Sequence, residues 1–470
     1  MRLPRVLLSA CSSGSGKTLI TCGLLQALKN RRIKTAAFKC GPDYIDPMFH
    51  EKVIGTGSAN LDTFFTSPEC VRYLLAENAA GCDLAVIEGV MGYYDGIAGV
   101  TQTASAYDLA CVTETPVILL VNSAGMSGSL AACVKGFLEY EKDSRIRGVI
   151  FNQMSAMLYP RIKALVEERT GVRVLGYVPR VEECALDSRH LGLVLPQEIF
   201  ALREKLDRLA HILEETLDID GILALAREAA ELHKPEDPLE IFLEGIHEKP
   251  AEKEPDRGAQ VRIGVASDAA FCFFYKDNFR LLRGMGAQLV PFSPLADTVL
   301  PEDIDGLLLY GGYPELHAAE LETNIRMRES IRSALAQGMP CMAECGGFMY
   351  LHEEMEDMEG RLHEMTGVIK GRAFRTERLS RFGYVTLQKH EKDVYGEVPA
   401  HEFHYFDSTN CGQAFSAKKP AGNRQWECMH ADGRLLAGFP HLYYYGNPAV
   451  PWEFLKQCAC YKKERAGRSV

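Results

Sequence analysis

The chain has 470 residues, a net charge of −11, 47% hydrophobic and 24% charged residues, more than one hydrophobic core usually serves, so two domains are expected, or three. The acidic balance and the lack of a basic stripe argue against nucleic acid or an anionic membrane as the main partner. No run reaches the roughly 18 continuous apolar residues of a membrane span, and the 15 scattered cysteines, with no CxxC pair, read as reduced thiols of a cytoplasmic protein.

The first apolar run is RVLLSA (5–10). LSAC at 8–11 imitates a lipoprotein cleavage box, but the apolar run before it falls short of the roughly 7–15 residues of a signal-peptide core. CSSGSGKT (11–18) gives those residues a better use. Gly14, Ser15 and Gly16 let the backbone fold around a polyphosphate with its N–H groups inward, at the start of a helix. Lys17 would reach the outer phosphates of a bound nucleotide, and the Thr18 hydroxyl would ligate Mg²⁺. Cys11 stands where the strict P-loop pattern has glycine. A glycine-rich helix cap is the plainer alternative; the strand before it and TLITCGLLQALKNR (18–31) after it favour nucleotide binding.

Further apolar runs follow: KTAAFK (34–39), DLAVIEG (83–89), PVILLVN (116–122) and RGVIFNQ (147–153). Aliphatic strands separated by amphipathic helices predict a mostly parallel sheet covered on both faces. Two of these strands end in carboxylates. CGPDYIDP (40–47) holds Asp43, Tyr44 and Asp46, and IEGVMGYYDG (87–96) holds Glu88 and Asp95. One carboxylate at a strand end is ordinarily a helix cap. Four around one phosphate loop point to Mg²⁺ and substrate machinery.

Residues 201–232 read as helix, and 233–260 turn polar, charged and proline-containing, as a linker does. A second α/β pattern runs through VRIGVAS (261–267), AQLVPFS (287–293), IDGLLLYGG (304–312) and MPCMAECGG (339–347). With no internal repeat, two different α/β domains are expected, at 1–232 and 261–470.

AECGGFM (343–349) has the grammar of a nucleophile elbow: a buried strand, Cys345, then glycines that allow a sharp turn into a helix. A thiol there is expected to have a lowered pKa. YGGYPE (310–315) is a second glycine-rich strand end, so Gly311, Gly312 and Gly346 are candidates for an oxyanion site. A base must come from elsewhere. His401 and His404 in HEFHYFDS and His441 in GFPHLYYYGN are the candidates, and His441 follows an apolar run that would end as a strand.

KCGPDYIDP, IEGVMGYYDG, SRHLGLV (188–194), GGYPE, AECGGFMYL and HEFHY, in that order along nearly the whole chain, resemble the cobyrinic acid a,c-diamide synthase family. The resemblance implies a P-loop-type amide-forming domain, akin to dethiobiotin synthetase, joined to a class I glutamine amidotransferase-like domain. It implies ATP and Mg²⁺ as cofactors, and glutamine and a tetrapyrrole, cobyrinate, as substrates. Cys345 would be the glutamine nucleophile and His441 the histidine that activates it. Lys17 and Thr18 would belong to the ATP site. Asp43, Asp46, Glu88 and Asp95 would serve metal, phosphoryl transfer and substrate carboxylate, with Mg²⁺ on Thr18, Asp46 and Glu88. Ammonia would then need an internal path between domains, and a homodimer is one assembly open to the chain.

Some relatives in that family amidate nickel sirohydrochlorin instead. A deviant P-loop switch ATPase with a non-catalytic C-terminal domain is a rival from another class, but it predicts a degraded elbow. The chain departs from the family pattern at Tyr93, Phe406 and Tyr443. Ordinary class I amidotransferases place a glutamate two positions after the histidine, where Tyr443 stands, so a Cys–His dyad is expected.

Overall fold

A computed structural model of the chain describes residues 1–181, 184, 199–247, 260–390 and 395–468. The SRHLGLV motif at 188–194 and positions 248–259 of the predicted linker lie outside the described residues. Two compact units are present, residues 1–236 and 237–470.

The first unit is built on a seven-stranded sheet: β1 (Arg5–Ala10), β2 (Thr35–Cys40), β3 (Ser58–Leu61), β4 (Leu84–Glu88), β5 (Val117–Asn122), β6 (Ile146–Asn152) and β7 (Arg173–Val178). Its order is β3-β2-β4-β1-β5-β6-β7, every pair parallel, as the aliphatic strand runs predict. The five interior strands are those with the strongest apolar runs, and all of β1 and β4 is buried. The two edge strands carry weaker signals and went unforeseen. SANL is short and half polar, and RVLGYV is interrupted by Gly176 at φ +133°. A side chain at 176 would lie 2.4 Å from the Thr216 carbonyl, because Gly176 bridges to Leu217 there.

Helix α1 (Lys17–Asn30) begins directly after the glycine loop and packs on the helix Ile199–Thr216. Gly23 is the point of closest approach: a Cβ there would meet Leu209 and Leu213 at 2.7–2.8 Å. The helix expected over 201–232 is two helices, Ile199–Thr216 and Ile219–Arg227. The chain breaks at Leu217–Asp218, and the Asp218 carboxylate caps the second helix by accepting from the Gly221 N–H at 2.8 Å.

The second unit holds a six-stranded sheet containing β8 (Val261–Ala266), β9 (Ala287–Phe292), β10 (Gly306–Leu309) and β11 (Cys341–Glu344). Its order is His430–Asp432, Leu435–Gly438, β11, β10, β8, β9, parallel except for the first pair. Phe271, Leu307, Leu309, Ala343, Phe348 and Phe439 form the core around its strand ends. The helix Pro238–His247 falls in the stretch that composition marks as linker; Leu239 fills the space above Gly284, where a Cβ would lie 2.4 Å away.

Two smaller, mostly antiparallel sheets follow β11, and no apolar run in the sequence announces them. One of them, ordered Gln425–Cys428, Phe415–Lys418, Arg381–Lys389, Val398–His404, His441–Leu442, sets His401 directly opposite His441. Among the described residues no helix is long and apolar enough to cross a membrane.

Candidate active sites

In the first unit the loop after β1 meets the C-terminal ends of β2 and β4, where ligands bind in open α/β sheets. Gly14 and Gly16 take left-handed φ of +74° and +89°. Gly16 must be glycine for a second reason: a Cβ would lie 2.4 Å from Asn152 Nδ2, which itself donates to the Ser15 carbonyl at 2.9 Å. Cys11, in place of the usual glycine, rests its sulfur 4.0 Å from that of Cys133. Lys17 is buried and donates to the Ser12 carbonyl at 3.3 Å and to the Met91 carbonyl. Burial, then Lys39, lowers its pKa. Asp95 lies in the same loop as Met91, exposed, and accepts from the Gly92 N–H at 2.9 Å.

Thr18 Oγ1 donates to Glu88 Oε1 at 2.7 Å, so two of the three expected Mg²⁺ ligands are in contact. Between Glu88, Asp46 and Asp43 stands Lys39. Its ammonium bonds Glu88 at 2.8 Å, contacts Asp43 at 3.7 Å and donates to Asp46. Lys39 joins this candidate site although reading the strand misses it; a lysine in a run buried on both faces is a signal in itself. Burial alone would drive its proton off; Glu88, Asp46 and Asp43 outweigh that and hold the ammonium charged. Burial pushes the Glu88 carboxyl up to about 7 despite Lys39, and burial with Asp46 pushes Asp43 up to about 6. Asp46 goes the other way, because Lys39 overcomes its burial. Tyr44 is buried at the start of the short helix Ile45–Phe49 that carries Asp46.

These residues fit a magnesium ion in part. Among the described residues no three His, Cys, Asp or Glu side chains form a metal-holding cluster. Two carboxylates and a hydroxyl are nevertheless a suitable set for Mg²⁺, which keeps waters and phosphate oxygens as its other ligands. Glu88 Oε2 is buried without a hydrogen-bond partner, 3.8 Å from His50 Nε2, and a cation would satisfy it. Lys39→Met should remove the ammonium that bonds these carboxylates directly. The expected loss is about 3–5 kcal/mol in denaturant unfolding of the metal-free protein at pH 8. An unchanged midpoint would mean that the carboxyls are neutral in the fold.

In the second unit β11 ends at Glu344, and Cys345 takes φ +47° and ψ −106° before the helix Gly346–Tyr350. A cysteine holds this conformation only where the surroundings impose it, as a nucleophile elbow does. They do so here through the glycines. A Cβ at Gly347 would lie 2.1 Å from the Leu309 carbonyl, and one at Gly346 would lie 2.8 Å from the Pro314 ring and 3.2 Å from the Gly312 nitrogen. The Gly346 N–H points at the sulfur and lowers its pKa, but burial, the Glu315 carboxylate and other neighbours push the thiol well up. The lowered pKa expected of the elbow is therefore absent, because desolvation outweighs the N–H group.

Gly311 is where thiol and imidazole converge. A Cβ there would be 2.7 Å from His441 Cε1 and 3.4 Å from Cys345 Cβ. His441 is 2% exposed, and burial pulls its pKa down to about 3. The resting pair is thus a neutral thiol and a neutral imidazole. His401 stacks on His441 with ring centroids 5.1 Å apart. His404 has both ring nitrogens engaged, by the Phe406 carbonyl at 2.5 Å and Glu402 at 3.1 Å, and stacks on Phe439. Of the three candidate bases only His441 meets the space beside Cys345 over Gly311.

Two family models match the chain: the CobQ/CobB/MinD/ParA nucleotide binding domain over residues 6–194, and the CobB/CobQ-like glutamine amidotransferase domain over residues 262–448. A cobyrinate a,c-diamide synthase of Thermoplasma volcanium is 37% identical over 475 residues, covering 99% of each chain. Proteins of the same name from Listeria innocua and Priestia megaterium are 38% and 35% identical, covering 95% and 98% of this chain and 97% and 98% of their own. The likeness spans both units and both of their strand-end sites, and the chain belongs to the cobyrinate a,c-diamide synthase family.

Proposed function

We propose that the protein amidates the a and c acetate carboxylates of cobyrinate, using glutamine as nitrogen donor and ATP for activation, as a glutamine-dependent amide-forming ligase. The observation that carries this reading is one chain with two complete strand-end sites of different chemistry: Lys17 in its glycine cradle, and Cys345 in its elbow beside His441.

A carboxylate does not accept ammonia until it is activated. A substrate carboxylate oxygen attacks the γ-phosphorus of ATP, ADP leaves, and an acyl phosphate remains. Lys17 and the loop N–H groups offset charge on the transferred group. Thr18, Asp46 and Glu88 would hold Mg²⁺, which when bound supplies further charge neutralisation on the phosphates. At the second site His441 takes the thiol proton as Cys345 attacks the glutamine side-chain carbonyl. Backbone N–H groups near Gly312 and Gly346 stabilise the oxyanion. Ammonia leaves with that proton, and water hydrolyses the thioester to glutamate. Ammonia then attacks the acyl carbon and expels phosphate, giving the amide. A second round serves the second carboxylate.

The strained backbone at Cys345, set at a strand end beside His441, supports a catalytic C-terminal domain over a non-catalytic one. Two measurements test the reading. With ¹⁸O-labelled substrate carboxylates, one label per amide should appear in inorganic phosphate; unlabelled phosphate would remove the acyl phosphate. Cobyrinate should also show a higher kcat/KM than nickel sirohydrochlorin, and the opposite ranking would reassign the substrate.

A further inference from the structure

The position where class I amidotransferases carry the acid of their triad is Tyr443 in this chain, and its hydroxyl is committed elsewhere. It donates to Asp277 Oδ2 at 3.1 Å, and its ring packs edge-on against Tyr275. We propose that Glu344, the residue immediately before the nucleophile, is the positioning residue that orients His441 and stabilises its protonated form. This rests on the amidotransferase reading above and goes beyond it by naming the acid.

Glu344 Oε2 lies 3.7 Å from His441 Nδ1, and the two side chains are 4% and 2% exposed. The same oxygen accepts from the Leu442 N–H at 3.4 Å, which ties the carboxylate to the strand that carries His441. Its other oxygen, Oε1, is buried with no hydrogen-bond partner. A contact of 3.7 Å is longer than a hydrogen bond, and catalytic hydrogen bonds often close only when substrate binds. Glu402 is the other carboxylate that acts on this imidazole, but its Oε2 pairs with His404 Nε2 at 3.1 Å and its Oε1 accepts from Trp426 Nε1 at 3.3 Å; the His401 ring stacks on one face of His441, and glycine at 311 leaves room for Cε1. The Tyr310 and Tyr444 hydroxyls, kept protonated chiefly by burial, bond to each other at 3.0 Å.

The chemistry calls for such a group. Proton transfer from Cys345 to His441 makes an imidazolium in a site whose burial opposes it. Burial pushes the Glu344 carboxyl up to about 8 against the Leu442 N–H, and the imidazolium forming beside it favours its ionised form, which offsets that charge at Nδ1. By accepting Nδ1–H it also selects the tautomer whose Nε2 is free to take the thiol proton. One segment then supplies both ends of the relay. Glu344 and Cys345 are neighbours in sequence, and the turn at Cys345 lets both reach the same imidazole.

Glu344→Gln is the decisive variant, because glutamine keeps the length and an oxygen for the Leu442 N–H while removing the charge. Its glutaminase kcat should fall by up to about 10⁴-fold, the loss when a triad acid loses its charge, with KM for glutamine nearly unchanged. Ammonia-dependent amidation should persist, and ¹⁵N spectra should show His441 losing its Nδ1–H preference. Glu344→Asp, which is shorter but charged, should keep more kcat than the glutamine variant. Wild-type kcat in Glu344→Gln, a better glutamine than aspartate variant, or parallel loss of both ammonia sources would overturn the assignment. Failure of the underlying reading would look different: the unmodified protein would show no glutaminase activity at all.

Discussion

Cys345→Ala is expected to lose glutamine-dependent amidation by several orders of magnitude while keeping ATP-dependent amidation from ammonium salt, at a pH where free ammonia is appreciable. Removal of a covalent nucleophile has that effect, since no neighbouring group can form the thioester. Packing predicts something else. Cys345 is 7% exposed within the core of the second unit, so a purely structural role would cost about 1–2 kcal/mol of stability on truncation. Both ammonia sources would then fall together, or neither would. The ratio of the two activities, with a melting curve to establish folding, separates the cases. His441→Ala should follow the same pattern less severely, because it moves a proton and forms no covalent bond to substrate. A Cys345→Ala protein that used glutamine at the wild-type rate would refute the amidotransferase mechanism.

Lys17→Ala should abolish amidation from glutamine and from ammonia alike, since both routes need the activated carboxylate. Lys17 also bonds the Ser12 and Met91 carbonyls, so its loss would loosen the loop that carries Asp95. Melting curves with and without Mg-ATP distinguish the two effects. A folded variant that no longer gains stability from nucleotide supports the phosphate role; near-normal turnover with ammonia would sink it. In ammonia-dependent assays the Lys17→Ala, Cys345→Ala double variant should look like Lys17→Ala alone, since that route needs no glutamine hydrolysis.

Much of this was legible in the sequence because the decisive features are contiguous. A strand, a glycine loop and a helix in succession make the phosphate cradle. The same grammar around AECGG makes the elbow, and the carboxylates at 43, 46, 88 and 95 sit where strands end. The pattern weakened where a strand was short, edge-placed or polar, as at Ser58–Leu61, and through the antiparallel sheets after β11. There pairing with distant segments, rather than local hydrophobicity, selects the strand.

The sequence by itself determined two parallel-sheet units, a glycine loop around Lys17 and a strand–turn–helix elbow at Cys345, since each depends on residues within a few positions of one another. Only the tertiary structure decided which charges meet. Lys39 reads as one more strand residue until β2 and β4 pair and bring Glu88 to its ammonium. Among three histidines, His441 is singled out by the register that sets it opposite His401 and by the space Gly311 leaves beside Cys345. Glu344 has meaning only because that register carries a ring nearly a hundred residues downstream to its carboxylate. Local pattern sets which backbone can form; burial and charge pairing, which act at a few ångströms through space, are set by strand order and register, and no short window of sequence contains those.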